Sequence, residues 1–229
     1  MLRMNELLWI AMLALNFGAI ILCYRFFGKT GLFIWIPISV IIANIQVVKT
    51  VELFGLTATL GNIVYATAFL ATDILSENYG KKDAKRAVYI GFFSLLSMAA
   101  LMSLALKFRP APDDFAQESL TTIFSLIPRI SAASLLAYGV SQLHDVWAYQ
   151  FWKGKVRQIW VRNNASTIVS QLIDSVIFTF AAFAGTFPIG VLMQIVLSTY
   201  LLKVIVAVVD TPFIYIARWM KVKGVVDKS

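Results

Sequence analysis

The chain has 229 residues, of which 59% are hydrophobic and only 14% are charged, with a mean hydropathy of +0.78 and a formal net charge of +8. A typical soluble domain is about 45–50% apolar and about 25% charged, so this composition excludes a large soluble catalytic domain. The single cysteine, Cys23, excludes a disulfide framework.

Seven apolar segments predict an all-α, polytopic transmembrane helical bundle, because each bilayer crossing takes about 20 apolar residues. Their approximate bounds are Glu6–Tyr24, Leu32–Lys49, Thr57–Leu75, Ala87–Leu106, Ile130–Trp152, Ser166–Pro188 and Val191–Trp219. The last segment is long for one crossing, which predicts a tilt or a break near Pro212. The connecting loops are too short to fold separately, so residues 1–229 are expected to form a single integral membrane domain.

The basic residues predict the orientation of these helices. Most of the 20 Lys and Arg residues fall in alternate connections and after the last helix. Since Lys and Arg concentrate on the cytoplasmic side of membrane proteins, we expect a multi-pass protein of the cytoplasmic (inner) membrane, with its N-terminus outside and its C-terminus inside. Lys81–Arg86 is expected to be an anchoring cytoplasmic turn. Nucleic acid is excluded as a partner, because its binding requires basic residues on one folded face.

Charged side chains inside the predicted spans indicate function, because each costs at least about 2.5–3.5 kcal/mol at mid-bilayer on insertion scales. Asp73 and Glu77 lie four residues apart on one face of the third predicted helix. Lys203 and Asp210 lie seven residues apart on one face of the last. We predict gating or charge-pairing roles for these four residues. The structural alternative is a buried ion pair that fixes helix packing.

A short repeat links the fifth and sixth predicted helices. Ser141–Asp145 reads SQLHD and Ser170–Asp174 reads SQLID, so Gln and Asp lie three residues apart on one face in each copy. A carboxylate accepts N–H donors and an amide both donates and accepts, a pairing that suits a flat heterocycle such as a purine. Tyr138, one turn earlier, is a candidate for stacking on such a ligand. The predicted substrate-binding residues are Asn44, Tyr138, Gln142, Asp145, Asn164, Ser170, Gln171 and Asp174.

Motifs for catalysis and for metal or cofactor binding do not occur in the sequence. HExxH, the G-x-S-x-G elbow, the Walker loop and the Gly-rich dinucleotide fingerprint are all absent. Because His144 is the single histidine, a His-based metal site would have to take its remaining ligands from carboxylates alone. We therefore predict no catalytic residue, no metal and no cofactor.

Several segments together resemble the queuosine precursor transporter family, one of the broader group of vitamin-uptake-type transporters. The segments are ATDILSENYGKKDAKRAVYIGF, RISAASLLAYGVSQLHDVWAY, WVRNNASTIVSQLIDSVIF and YLLKVIVAVVDTP. The combination of D-x-x-x-E-x-Y-G, two S-Q-x-x-D segments and a late Lys-to-Asp helix is specific, whereas any one alone is weak. The resemblance covers residues 34–220 approximately and implies a six-helix core preceded by an additional N-terminal helix.

The resemblance implies uptake of 7-deazaguanine bases, such as queuine and 7-cyano- and 7-aminomethyl-7-deazaguanine, which are precursors for a tRNA modification. A guanine-like edge presents N1–H and 2-amino donors beside the O6 acceptor. Under this hypothesis Asp174 or Asp145 accepts from the donor edge. The carbonyl is then bound by Gln142, Gln171 or Asn164.

The same hypothesis assigns the remaining charged residues. Lys203 holds a carboxylate in its charged form, and Asp210 is either its partner or a gating contact. Asp73 is the candidate proton or gate site.

Two alternatives remain open from the sequence. The chain can be a substrate-binding subunit that needs a separate energising module, or an intramembrane enzyme that uses paired carboxylates as acid and base. Against the enzyme, the carboxylates lack a dyad motif such as G-x-G-D. A homo-oligomer is possible, and the sequence leaves the energy source and the oligomeric state undetermined.

Overall fold

A computed structural model describes residues 4–54, 56–124, 127–185 and 188–226, and most of these residues are helical. The helices are α1 (Met4–Gln46), α2 (Asn62–Asn78), α3 (Lys81–Ala105), α4 (Gln117–Phe124), α5 (Ile127–Lys153), α6 (Ile159–Phe183) and α7 (Ile189–Val222). Two short strands, β1 (Thr50–Leu53) and β2 (Leu56–Thr59), pair antiparallel between α1 and α2. The predicted helical bundle is therefore present, with a small β-hairpin added to it.

Helix α1 folds back on itself at Gly28, which adopts φ 53° and ψ −138°, a conformation that glycine reaches without steric cost. The Cys23 thiol donates to the Gly31 carbonyl oxygen across 3.3 Å, although eight residues along a straight helix span about 12 Å. Residues 4–27 and 29–46 therefore form an antiparallel pair. These two halves correspond to the first two predicted helices.

Alanine at Gly31 is expected to destabilise this hairpin by about 1–3 kcal/mol, the usual cost of overpacking. An added Cβ atom would lie 2.3 Å from the Cys23 carbonyl oxygen, which is backbone and cannot move away cheaply. Gly18→Ala is the matched control, because a Cβ atom there has no described atom within 4 Å. Denaturation of both purified variants measures the difference, and equal stability would contradict the close approach.

Three predicted boundaries are wrong. The third predicted helix begins at Asn62 rather than Thr57, because residues 56–59 form β2, which pairs with β1. Helix α3 begins at Lys81, so Lys81–Arg86 forms its first turns rather than a separate turn, with Asp83 favourable near the helix N-terminus. Helix α6 begins at Ile159, seven residues before the predicted start.

The proline in the last helix does not interrupt it. Helix α7 continues through Pro212 without a break in its helical backbone. Tilt relative to a bilayer remains a prediction.

Four described helices are long and apolar enough to cross a membrane: Met4–Gln46, Lys81–Ala105, Ile159–Phe183 and Leu192–Val222. A fifth candidate is the bent pair Gln117–Phe124 and Pro128–Lys153, whose axes differ by 44°. Large apolar side chains are exposed on the outside of the bundle, as expected for surfaces that face lipid. They include Leu15, Phe26, Phe93 and Leu197.

Helix α2 lies at the centre of the bundle and contacts α1, α3, α5 and α7. It has only 17 residues, and nearly all of them from Ile63 to Ser76 are buried. A polar residue on any face of α2 is therefore placed inside the protein. This position brings the carboxyl of Asp73 into the interior, where it is fully buried.

Candidate functional site

A cavity of about 100 Å³ lies in the half of the bundle nearest the β-hairpin. Helices α1, α2, α3, α5, α6 and α7 line it, largely with apolar side chains and a few polar ones. Small-molecule sites typically have this character. Its polar and charged lining residues are Asn44, Asn62, Tyr65, Ser134, Tyr138, Asp174, Thr199 and Lys203.

A buried ion pair between Lys203 and Asp174 lies at the inner end of this cavity. Lys203 Nζ contacts Asp174 Oδ2, and both side chains are only 4% exposed. The other carboxylate oxygen, Oδ1, accepts from the Tyr65 hydroxyl at 2.9 Å and from Ser141 Oγ at 3.1 Å. Buried ion pairs are tolerated when such additional hydrogen bonds satisfy the carboxylate.

Two further polar groups at the cavity have unused hydrogen-bonding capacity. The Tyr138 hydroxyl is buried and has no hydrogen-bond partner among the described residues. Asn44 donates to its own helix at the Val40 carbonyl oxygen, across 2.8 Å, while its side-chain oxygen has no described partner. Buried polar groups are normally hydrogen-bonded, so these two unpartnered groups are candidates for contacts with a ligand.

Aromatic rings surround the same point. The Tyr65 and Tyr138 ring centroids are 5.8 Å apart, and the Phe92 and Tyr138 ring centroids are 5.4 Å apart. Lys203 Nζ lies 5.4 Å from the Tyr65 ring centroid, within cation–π range. The site thus combines flat apolar surfaces with one fixed charge pair.

Deeper in the bundle, three fully buried aspartates from three helices lie together. Asp73 on α2 interacts electrostatically with Asp145 on α5 and with Asp210 on α7. Helix α6 supplies the hydrogen-bond donors to this cluster: Thr167 Oγ1 donates to Asp73 Oδ2 at 3.1 Å, and Asn163 Nδ2 donates to Asp210 Oδ1 at 2.8 Å. We call Asp73, Asp145 and Asp210 the aspartate cluster.

Glu77 accepts contacts from three basic side chains at the opposite end of the bundle from the cavity. Arg162 approaches both carboxylate oxygens at 3.1 Å, Lys153 lies at 3.7 Å and Arg218 at 3.6 Å. The Tyr149 hydroxyl also donates to Glu77 at 3.3 Å. This Glu77 network joins α2, α5, α6 and α7.

The structure places the predicted site residues in different layers. Asn44, Tyr138, Asp174 and Lys203 line the cavity, whereas Asp73, Asp145 and Asp210 form the aspartate cluster below it. Lys203 therefore pairs with Asp174 rather than with Asp210.

The other predicted amide and hydroxyl residues, Gln142, Asn164, Ser170 and Gln171, do not border the cavity. Gln142 Oε1 accepts from Thr72 at 3.2 Å, and Gln171 is buried without a described partner. Ser170 contacts His144 Nδ1 at 3.0 Å, and Asn164 donates to Thr211 at 2.8 Å near the start of α6. Their roles as substrate contacts remain predictions.

Three contributors were missed by sequence reasoning. Tyr65 lies eight residues before Asp73, hence about two turns along the same helix face, a spacing that was available as a signal. Ser141 was part of the repeat but was not selected as a site residue. Arg162 was assigned to a loop and is instead a buried residue of α6.

Residues 59–217 match the family described as "Putative vitamin uptake transporter". The chain is 47% identical over 219 residues to a "Probable queuosine precursor transporter" of Bacillus subtilis (strain 168), covering 94% of this chain and 96% of that protein. It is 27% identical over 191 residues to the "Queuosine precursor transporter" of Escherichia coli (strain K12), covering 82% and 85% of the two chains. No solved structure matches this chain.

Proposed function

The chain belongs to the vitamin uptake transporter family, and from this premise we propose that it carries queuosine precursors across the cytoplasmic membrane. The names of its relatives in Bacillus subtilis and Escherichia coli support this substrate class. The proposed substrates are 7-deazaguanine bases such as queuine and 7-cyano- and 7-aminomethyl-7-deazaguanine. The proposed topology is seven spans, with the N-terminus outside and the C-terminus inside.

The observation that carries this proposal is the cavity that ends at the Lys203–Asp174 pair. A carboxylate has about four lone-pair sites, so Asp174 retains acceptor capacity beside its present partners. Lys203, Tyr65 and Ser141 use three of these sites, so either the N1–H or the 2-amino donor of a 7-deazaguanine can take the remaining site on Oδ2. The Tyr138 hydroxyl can donate to the substrate carbonyl, and the Asn44 side-chain oxygen can accept a further N–H group. Both groups lack described partners.

The position of the cavity supports a transport cycle. The cavity lies in the half of the bundle that the charge pattern places outside, and the Glu77 network joins four helices at the end placed inside. Transporters of this kind alternate access around a site near the bilayer midplane. In the proposed topology the Glu77 network closes the cytoplasmic end in the described conformation, so release of substrate inside requires that end to open.

We expect Asp174→Asn and Tyr138→Phe to weaken binding of 7-cyano-7-deazaguanine. A hydrogen bond that involves a charged group contributes about 1.5–3 kcal/mol, so loss of the Asp174 charge should raise Kd by about 10–100-fold. Tyr138→Phe removes a hydroxyl that no described residue uses, and its effect should be a few-fold with folding unchanged. Calorimetry on purified protein measures both, with guanine and an unrelated vitamin in the same panel.

Asp113→Asn is the matched control, because Asp113 is an exposed loop residue and its substitution should leave Kd unchanged. Wild-type affinity in both site variants would contradict the proposed site.

Uptake into liposomes that contain only this chain distinguishes a stand-alone transporter from a substrate-binding subunit. A substrate-binding subunit would bind the substrate but would not accumulate it. The enzyme alternative is set aside, because the family is one of transporters.

A further inference from the structure

The aspartate cluster has many more hydrogen-bond acceptors than donors. Asp73 Oδ1, both oxygens of Asp145 and Asp210 Oδ2 form no hydrogen bond of good geometry with a described residue, although the Asp145 carboxyl lies beside the Asp73 carboxyl and the side-chain hydroxyls of Ser166, Thr167 and Ser170. Independently of the carboxyls, the side-chain oxygen of Asn163 is also unpartnered, although its amide nitrogen donates to Asp210. All four side chains are fully buried. A ligand that suits this arrangement supplies hydrogen-bond donors or positive charge.

The surrounding basic residues do not neutralise the cluster. On the cytoplasmic side, Arg162, Lys153 and Arg218 contact Glu77, and the Tyr149 hydroxyl donates to Glu77 as well. On the cavity side, Lys203 pairs with Asp174. No described Lys or Arg forms an ion pair with any carboxyl of the cluster.

The remaining helices supply no neutralising charge either. His144 on α5 contacts Ser170, and it is partly exposed. Lys29 of α1 and Asp83 of α3 pair with each other at 2.8 Å near the ends of their helices. Isolated charges buried in a medium of low dielectric constant are very unfavourable, and three neighbouring carboxylates repel one another.

A proton satisfies these requirements better than a metal ion. It neutralises one carboxylate and turns one acceptor oxygen into an O–H donor. A neighbouring carboxylate or the Asn163 side-chain oxygen can accept a hydrogen bond from that group. In contrast, the described residues contain no group of three His, Cys, Asp or Glu side chains arranged to hold a metal ion.

We propose that the aspartate cluster is a proton-binding site that couples substrate movement to a transmembrane proton gradient. This inference rests on the proposed function. The cluster lies between the substrate cavity and the Glu77 network, and α6 connects the layers through Asn163, Thr167 and Asp174 on one helix face. A proton binds a carboxylate oxygen from the outer aqueous phase and leaves to the cytoplasm when the inner end opens.

Uptake of 7-cyano-7-deazaguanine into liposomes that contain the purified full chain tests this proposal. With one proton per substrate, an inside-alkaline gradient of one pH unit supports about tenfold accumulation at equilibrium, since one unit is equivalent to a factor of ten in an equilibrium constant. The readout is the ratio of gradient-driven uptake to counterflow exchange at equal pH. This ratio corrects for the amount of folded protein. We expect Asp73→Asn to lose the tenfold accumulation, which lowers this ratio about tenfold below the wild-type value, and the exposed control Asp113→Asn to retain the wild-type ratio.

A second measurement needs no variant: addition of substrate outside lightly buffered liposomes should make the external medium more alkaline. Wild-type counterflow without any response to the pH gradient would overturn the proton site while leaving the transport function intact. Accumulation driven by a sodium gradient instead would overturn it equally. Absence of both binding and counterflow in the wild type would overturn the proposed function, and the inference with it.

Discussion

Replacing Lys203 with methionine is expected to lower the free energy of unfolding by about 3–5 kcal/mol, the usual cost of removing one partner from a buried ion pair. The substitution roughly preserves volume but leaves the Asp174 carboxylate buried without its cation. The two remaining hydrogen bonds, from Tyr65 and Ser141, cannot offset an unpaired charge in the interior. Denaturation of the purified protein in detergent measures the loss.

The double variant Lys203→Met/Asp174→Leu separates charge pairing from packing. Because both charges are removed together, most of the lost stability should return, while binding of 7-cyano-7-deazaguanine should not. Lys29→Met is the matched control, since Lys29 is 38% exposed in its pair with Asp83 and exposed pairs contribute about 0–1 kcal/mol. Equal stability of the single and double variants would show that the unpaired Asp174 charge does not cause the stability loss of Lys203→Met.

Hydropathy predicted which segments are helical more accurately than it predicted where each helix begins and ends. Residues 50–59 form a β-hairpin, yet hydropathy alone does not distinguish a short apolar strand from the start of a helix. The start of α6 was placed too late because Arg162, Asn163 and Asn164 resemble a polar loop in sequence. In the structure Arg162 contacts Glu77 of α2 and Asn163 contacts Asp210 of α7. Those contacts stabilise a helical turn that no local signal predicts.

Charges within apolar segments identified which residues are buried but not which residues pair. The two SQLxD copies are nearly identical in sequence, yet Asp174 pairs with Lys203 while Asp145 joins the aspartate cluster. Lys203 and Asp210 were expected to share a face, and the seven residues between them correspond to about 10.5 Å along a helix. That separation is too long for direct pairing. The true partners lie on α6, and helix rotation, which the sequence does not specify, selects them.

Replacing Glu77 with glutamine is expected to open the end of the bundle that carries the Glu77 network, which the proposed topology places on the cytoplasmic side. The variant removes the only carboxylate that, among the described residues, contacts Arg162, Lys153 and Arg218 together. Arg162 is 5% exposed, so its charge would become buried and uncompensated in the closed conformation. An open conformation would hydrate that charge. A bias of about 1.4 kcal/mol toward opening raises the open population about tenfold when that population is small. The free-energy cost of losing a buried charge contact is larger than this value.

Thiol labelling measures the opening directly. In a Cys23→Ser background, Ser76→Cys places a single thiol at a fully buried position next to Glu77. A membrane-impermeant maleimide applied from the proposed cytoplasmic side should label this thiol at least about ten times faster in the Glu77→Gln protein than in the protein that retains Glu77. Glu118→Gln is the control, because Glu118 is exposed on α4, on the predicted outer side. Unchanged labelling in Glu77→Gln would mean that packing rather than charge closes this end, since the buried thiol would remain covered after its neighbouring ionic contacts had been lost.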